Sequence, residues 1–137
     1  MVDPLTLWVW GVIALNLAVA VVAMCLVRFG SGFWFKVSTS DELAERDNLA
    51  FGLSLAGGIS GVALILAGAT AGEAELTYLD ELKMVVTYAA LGLVLLKMGA
   101  LINDWVILPG FSVREQIRSQ NVSAGVVQAS NLLALGL

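Results

Sequence analysis

Long apolar runs separated by short polar connectors dominate the chain. Four runs stand out: Leu5–Phe29, Asn48–Ala71, Leu82–Ile107 and Asn121–Leu137. A helix that crosses bilayer hydrocarbon needs about 20 apolar residues, within a range of about 17–25. The first three runs meet that length. The fourth is at the short limit and is expected to continue past Leu137. The pattern predicts an all-α, polytopic membrane protein, a single membrane domain over residues 1–137 with four transmembrane helices and short interfacial helices between them. The first run is too long for a signal-peptide core and has no basic segment before it, so it reads as a retained transmembrane helix.

The polar connectors supply an orientation. Arg28, Lys36 and Arg46 fall in the first connector, and Arg114 and Arg118 in the third. The second is acidic, with Glu73, Glu75, Asp80 and Glu81, and only Lys83 at its edge. Lys and Arg are retained on the cytoplasmic side, so connectors one and three are expected inside and both termini outside. Trp8 and Trp10 then mark the outer interface, and Phe33, Trp34, Phe35 and Trp105 the inner one. The acidic connector reads as a solvated charge run.

Composition narrows the chemistry. The 137 residues are 59% hydrophobic and 13% charged, with net charge −4, no histidine and one cysteine. Soluble domains carry about 25% charged residues, so a soluble globule, a disordered chain and a disulfide scaffold are all excluded. No basic block exists to attract nucleic acid. Cys25 sits in an apolar run and reads as an inert, buried thiol. Without histidine or a cysteine pair there is no metal-ligand set, and no nucleophile stands beside a base. The expectation is a protein that is not an enzyme and has neither metal nor cofactor.

The two halves match each other. Asn121 lies 73 positions after Asn48, and at that offset Thr39-Ser-Asp-Glu42 aligns with Ser112-Val-Arg-Glu115. Both tetrapeptides read as capping boxes, a hydroxyl at the N-cap and a glutamate reaching back to its amide. Each opens a short polar helix, roughly 42–47 and 115–120. Each is followed by Asn-x-x-x-Gly, ending at Gly52 and Gly125, and Phe35 pairs with Leu108. Matches at one offset point to duplication, with repeats at about 5–71 and 82–137. Two spans per unit give both units the same orientation, so the repeats are parallel helical hairpins.

The run Asn103-Asp104-Trp-Val-Ile-Leu-Pro109-Gly-Phe111-Ser-Val-Arg-Glu115, followed by Asn121-Val-Ser-Ala-Gly125, resembles domain-of-unknown-function family 350 of bacterial inner-membrane proteins. So does Asp47-Asn48-Leu-Ala-Phe-Gly52 with Gly57 and Gly61 after it. The resemblance covers nearly the whole chain. It implies a four-helix inner-membrane protein built from a duplicated hairpin, with no settled activity. It also implies the company of PspA-like envelope-stress proteins and polyamine-linked enzymes.

Lys97 is the costliest residue by position. It lies ten residues before Ile107, about 15 Å by helical rise, and a lysine at mid-bilayer costs about 2.5–3.5 kcal/mol. Asp104 is seven residues on, nearly on the same helix face and roughly 10 Å along the axis. The pair is either an ion path or a structural charge pair, with Asn103 beside it. Asn16, Gln128 and Asn131 are further intramembrane amides; Asn121, Ala124, Gln128 and Asn131 form one stripe. Such amides line a wet path or, more plainly, cross-link helices. Asn48 and Asn121 are placed to cap the helices they open. Gly57 and Gly61 form a G-x-x-x-G that permits close helix approach.

These features support two roles. The first is a homo-oligomeric, channel-like or ion-coupled membrane subunit, with any path between copies because four helices leave little room within one. The second is a non-conducting scaffold that presents the short cytoplasmic helices to a peripheral envelope-stress partner.

Overall fold

The structure is a computed structural model that describes residues 3–107 and 110–137. Among these residues every regular element is helical. In order they are α1 (Pro4–Phe35), α2 (Thr39–Ala44), α3 (Leu49–Ala69), α4 (Tyr78–Ile102), a π-helical turn (Asn103–Ile107), α5 (Val113–Arg118) and α6 (Val122–Gly136). Leu108 and Pro109, named in the repeat and the family motif, lie outside the described residues.

Among the described residues three helices are long and apolar enough to cross a membrane: Pro4–Phe35, Leu49–Ala69 and Tyr78–Val106. The protein is therefore membrane-like in build. The fourth apolar helix, α6, has 15 residues, about 22 Å by helical rise, against about 30 Å of hydrocarbon.

Local sequence explains where the helices start. Asp3 caps α1 ahead of Pro4, whose missing N–H costs nothing in a first turn. Lys36 ends α1 in the left-handed region at φ 53°. Asn48, Thr77, Ser112 and Asn121 cap α3, α4, α5 and α6. Thr39 was expected to cap α2, but Ser38 does so, accepting from the Asp41 amide at 3.4 Å. Ser38 is the residue with extended backbone, and Thr39 is already helical. Its hydroxyl donates instead to the Arg28 carbonyl at 3.3 Å. Glu42 does not reach back to the cap. It turns inward and is almost fully buried. In α5 only half the expected box forms: Ser112 Oγ accepts from the Glu115 amide at 3.2 Å.

α3 is the central helix, packed against α6, α1 and α4. Its contact with α6 is backbone-close and parallel. A β-carbon on Gly57 would stand 2.5 Å from Ala129 Cα, and one on Gly125 would stand 2.5 Å from the Ala50 carbonyl oxygen. Gly61 and Gly136 meet further along the same seam. The G-x-x-x-G face is thus spent inside the chain. Gly52 is different, with only Leu43 Cδ2 at 3.4 Å, because it faces α2 rather than α6.

Two apolar clusters hold the bundle. Ala23, Val62, Leu66, Val85, Ala89, Leu96 and Leu132 join α1, α3, α4 and α6. Phe35, Phe51, Leu55, Val113 and Ile117 seal the end that carries α2 and α5. Phe35 and Phe51 meet edge-to-face at 5.4 Å and 78°, a favoured aromatic geometry. Cys25 is not in either cluster; it lies on the open face of α1, where the apolar neighbours that its sequence setting suggested are on other sides of the helix.

Candidate polar sites at the two ends of the bundle

At the end near the α3–α4 connector, Asn16 and Glu81 meet across α1 and α4. Asn16 Nδ2 donates to Glu81 Oε1 at 2.8 Å, and the Glu75 amide donates to Glu81 Oε2 at 3.0 Å. Glu81 is 1% exposed. The pair borders a cavity of about 330 Å³ that Thr70 and Glu73 also line. Asn16 Oδ1 is buried without a hydrogen-bond partner. A buried carboxylate is costly unless bonded, and two donors offset part of that cost here.

The solvated charge run expected of this connector does not extend to Glu81. The signal for its burial was available. Glu81, Val85, Ala89, Gly92 and Leu96 are the buried residues of α4. Their spacing of three and four places them on one helix face, so the carboxylate heads the same stripe as the apolar core. Thr77, Asp80 and Lys83 do remain exposed and bond to one another.

Near the other end, Lys97 does not pair with Asp104. Its Nζ stands 3.3 Å from the centroid of the Trp34 ring, and the Arg114 guanidinium carbon stands 5.9 Å from the same ring. A cation over an indole face is a favourable contact. Asp104 lies in the π-helical turn, whose wider winding breaks the seven-residue face relation with Lys97. Through Trp34 the last turn of α1 and the polar helix α5 lie beside Lys97. Glu81 and Lys97 are sixteen residues apart, about 24 Å by helical rise.

Lys97 and Trp34 border a crevice of about 450 Å³ between α1 and α4, walled mainly by apolar side chains, with Ser54 and Gln128 deep in it. Gln128 is 7% exposed and its Oε1 has no hydrogen-bond partner. Trp34 also borders a shallow depression of about 570 Å³, with Lys36, Ser38 and Arg114. The remaining amides are dispersed. Asn131 Nδ2 donates to the Gly99 carbonyl at 3.5 Å, joining α6 to α4. Asn103 is 4% exposed, with Nδ2 unpartnered. Asn16 and Lys97, both candidates from the sequence, therefore belong to different sites.

The connectors form a third polar network. Glu42 accepts from Arg46 Nη1 at 2.6 Å and from Asn48 Nδ2 at 2.7 Å. Asn48 Nδ2 also donates to the Ile117 carbonyl at 3.0 Å, while its Oδ1 caps the Phe51 amide. Gln120 Nε2 donates to the Arg46 carbonyl at 3.0 Å. In the other connector Asn121 Nδ2 donates to Gln116 Oε1 at 2.9 Å, and its Oδ1 accepts from the Ala124 amide. Asp47 and Gln120, the residues before each asparagine, are both left-handed, at φ 47° and 64°. Among the described residues no group of three metal-ligating side chains is gathered.

Comparison with known proteins gives one result. No curated protein and no solved structure matches the chain significantly. A family model, Domain of Unknown Function (DUF350), matches residues 4–137, nearly the whole sequence. The protein with these two polar ends is therefore a member of the DUF350 family.

Proposed function

We propose that the protein is a homo-oligomeric, ion-coupled subunit of the bacterial inner membrane, with Glu81 as the group that takes up a proton or an alkali cation. The observation that carries this reading is the buried Glu81 carboxylate, held by Asn16 beside a cavity that Thr70 and Glu73 also line. Ionisable side chains within membrane bundles are costly and tend to be kept for function. Four spans, arranged as two parallel hairpin repeats, complete the reading, with both termini outside and α2 and α5 inside.

The cluster from Ala23 to Leu132 fills the bundle between its two polar ends. A path within one copy would have to cross that packed layer, so movement of an ion is assigned to the boundary between copies. Liposomes loaded with a pH-sensitive dye test the proposal. Wild type should dissipate an imposed proton or sodium gradient faster than empty liposomes. Glu81→Gln should abolish the difference while eluting at the same oligomeric size. Equal rates for wild type and empty liposomes would sink the reading.

A second reading rests on a different observation. Asn48–Ile117 and Gln120–Arg46 bonds tie the connectors that carry α2 and α5 into one polar platform. Such a platform suits a non-conducting scaffold for a peripheral protein, such as the PspA-like partner that the family resemblance implies. Capture of that partner by wild type, lost when exposed residues of α2 and α5 are altered, would favour it. Neither reading involves an enzymatic step.

A further inference from the structure

We infer that the Trp34 end of the bundle is a binding site for an anionic phospholipid of the surrounding bilayer. Its phosphate would sit among Lys36, Lys97 and Arg114, and one acyl chain would lie in the crevice between α1 and α4. This inference does not depend on the ion-coupled reading, which concerns the opposite end.

Four observations lead to this occupant. The first is charge: among the described residues the ion pairs are Arg46–Glu42 and Lys83–Asp80, so none of the three cations around Trp34 is within 4 Å of a carboxylate. The second is shape. The depression beside Lys36 and Arg114 and the deeper crevice beside Lys97 share Trp34 as their common wall. A head in the depression and a chain in the crevice would meet at that indole. The third is polarity along the crevice: Leu26, Val27, Leu93 and Val94 line it as hydrocarbon would require. The fourth is Gln128, more than nine-tenths buried, lining the same crevice with an unpartnered Oε1. An unpaired buried acceptor is costly, and a hydroxyl or ester-bound water near a lipid's glycerol would relieve it. Basic pockets between membrane helices on the cytoplasmic side are suited to anionic headgroups.

The alternatives fit less well. A second copy of the chain would have to bring a carboxylate against three cations, and the buried Glu42 is already engaged with Arg46 and Asn48. A zwitterionic lipid would place its own cation beside them.

Fluorescence quenching tests the site. The full chain carrying Trp8→Phe, Trp10→Phe and Trp105→Phe leaves Trp34 as the reporter. It is placed in phosphatidylcholine bilayers that contain either brominated phosphatidylglycerol or brominated phosphatidylcholine at equal mole fraction. Brominated phosphatidylglycerol should quench Trp34 preferentially. Lys97→Met and Arg114→Gln should each weaken that preference about fivefold, the effect of one cation near an anionic lipid. Arg118→Gln, outside both spaces, should leave it unchanged. Circular dichroism and elution volume establish that each variant is folded. Equal quenching by the two lipids overturns the inference. So does a preference lost equally with Arg118→Gln, which would reflect diffuse surface charge. A Trp34 that neither lipid reaches, in a dimer that persists without lipid, assigns the crevice to a second copy and overturns it as well.

Discussion

Asn48 Nδ2 donates to the Ile117 carbonyl at 3.0 Å, across 69 residues of sequence. One side chain therefore caps α3 and fastens the far connector to it. Asn121 occupies the matching place before α6, yet its Nδ2 donates only to Gln116, five residues away. The two asparagines are alike in sequence and unlike in reach.

That difference has a measurable consequence. Loss of an N-cap costs about 1 kcal/mol, and each buried polar group left unpaired adds about 1–3 kcal/mol. Asn48→Ala strands one Glu42 oxygen, while the Ile117 carbonyl keeps its bond from the Gln120 amide, so the change should cost about 2–4 kcal/mol. Asn121→Ala should cost about 1 kcal/mol. Unfolding in mixed micelles by increasing denaturing detergent measures both. Equal losses would mean that the inter-connector bond contributes nothing.

The α3–α6 seam makes a second prediction. Gly57→Leu drives a branched side chain into the backbone of α6 at Ala129, where no flexible group can yield. Overpacking of that kind costs about 1–3 kcal/mol and often more where backbone must move. Gly68 has nothing within 4 Å of its would-be β-carbon, so Gly68→Ala should show no loss. Elution profile and unfolding midpoint in detergent distinguish the two. A monodisperse Gly57→Leu with an unchanged midpoint would contradict the close packing.

Much of this fold was legible in the order of residues, and the reasons are local. Span lengths follow from apolar runs, and the capping roles of Asn48, Ser112 and Asn121 follow from short polar side chains at helix starts. Thr39 was misplaced by one residue because Ser38 and Thr39 are equally good caps, and the left-handed turn at Lys36 chose between them. Glu81 was read with its acidic neighbours, although its phase matches the core stripe of α4. The Trp34–Lys97 contact had no local signal: it joins α1 to α4 and depends on how far the two helices slide past each other. The seven-residue relation between Lys97 and Asp104 assumed a regular α-helix, and the π-helical turn breaks it.

Asn16 and Glu81 should behave as a coupled pair. Asn16→Ala removes one donor from a buried carboxylate and should cost about 1–3 kcal/mol. In a Glu81→Gln background the same change should cost less, because the charge that needed the donor is gone. A double-mutant cycle on unfolding free energies therefore gives a coupling of about 0.5–3 kcal/mol for residues in contact. Additive losses would show that the 2.8 Å bond has no weight in the folded protein.

Lys97 has two rival partners, and one cycle separates them. Its ammonium lies over the Trp34 ring at 3.3 Å, whereas Asp104 forms no ion pair with it among the described residues. A cation–π contact is worth about 0.5–1 kcal/mol where exposed and about 2 kcal/mol when desolvated. Trp34→Leu removes the quadrupole but keeps an apolar wall, so its cost should fall when Lys97 is already methionine. The coupling between Trp34→Leu and Lys97→Met is expected at about 0.5–2 kcal/mol. Asp104→Asn combined with Lys97→Met should be additive, because no ion pair joins the two side chains. Coupling to Asp104 and none to Trp34 would restore the charge-pair reading. It would also leave the phospholipid site with one cation fewer, since Lys97 would then be neutralised within the chain.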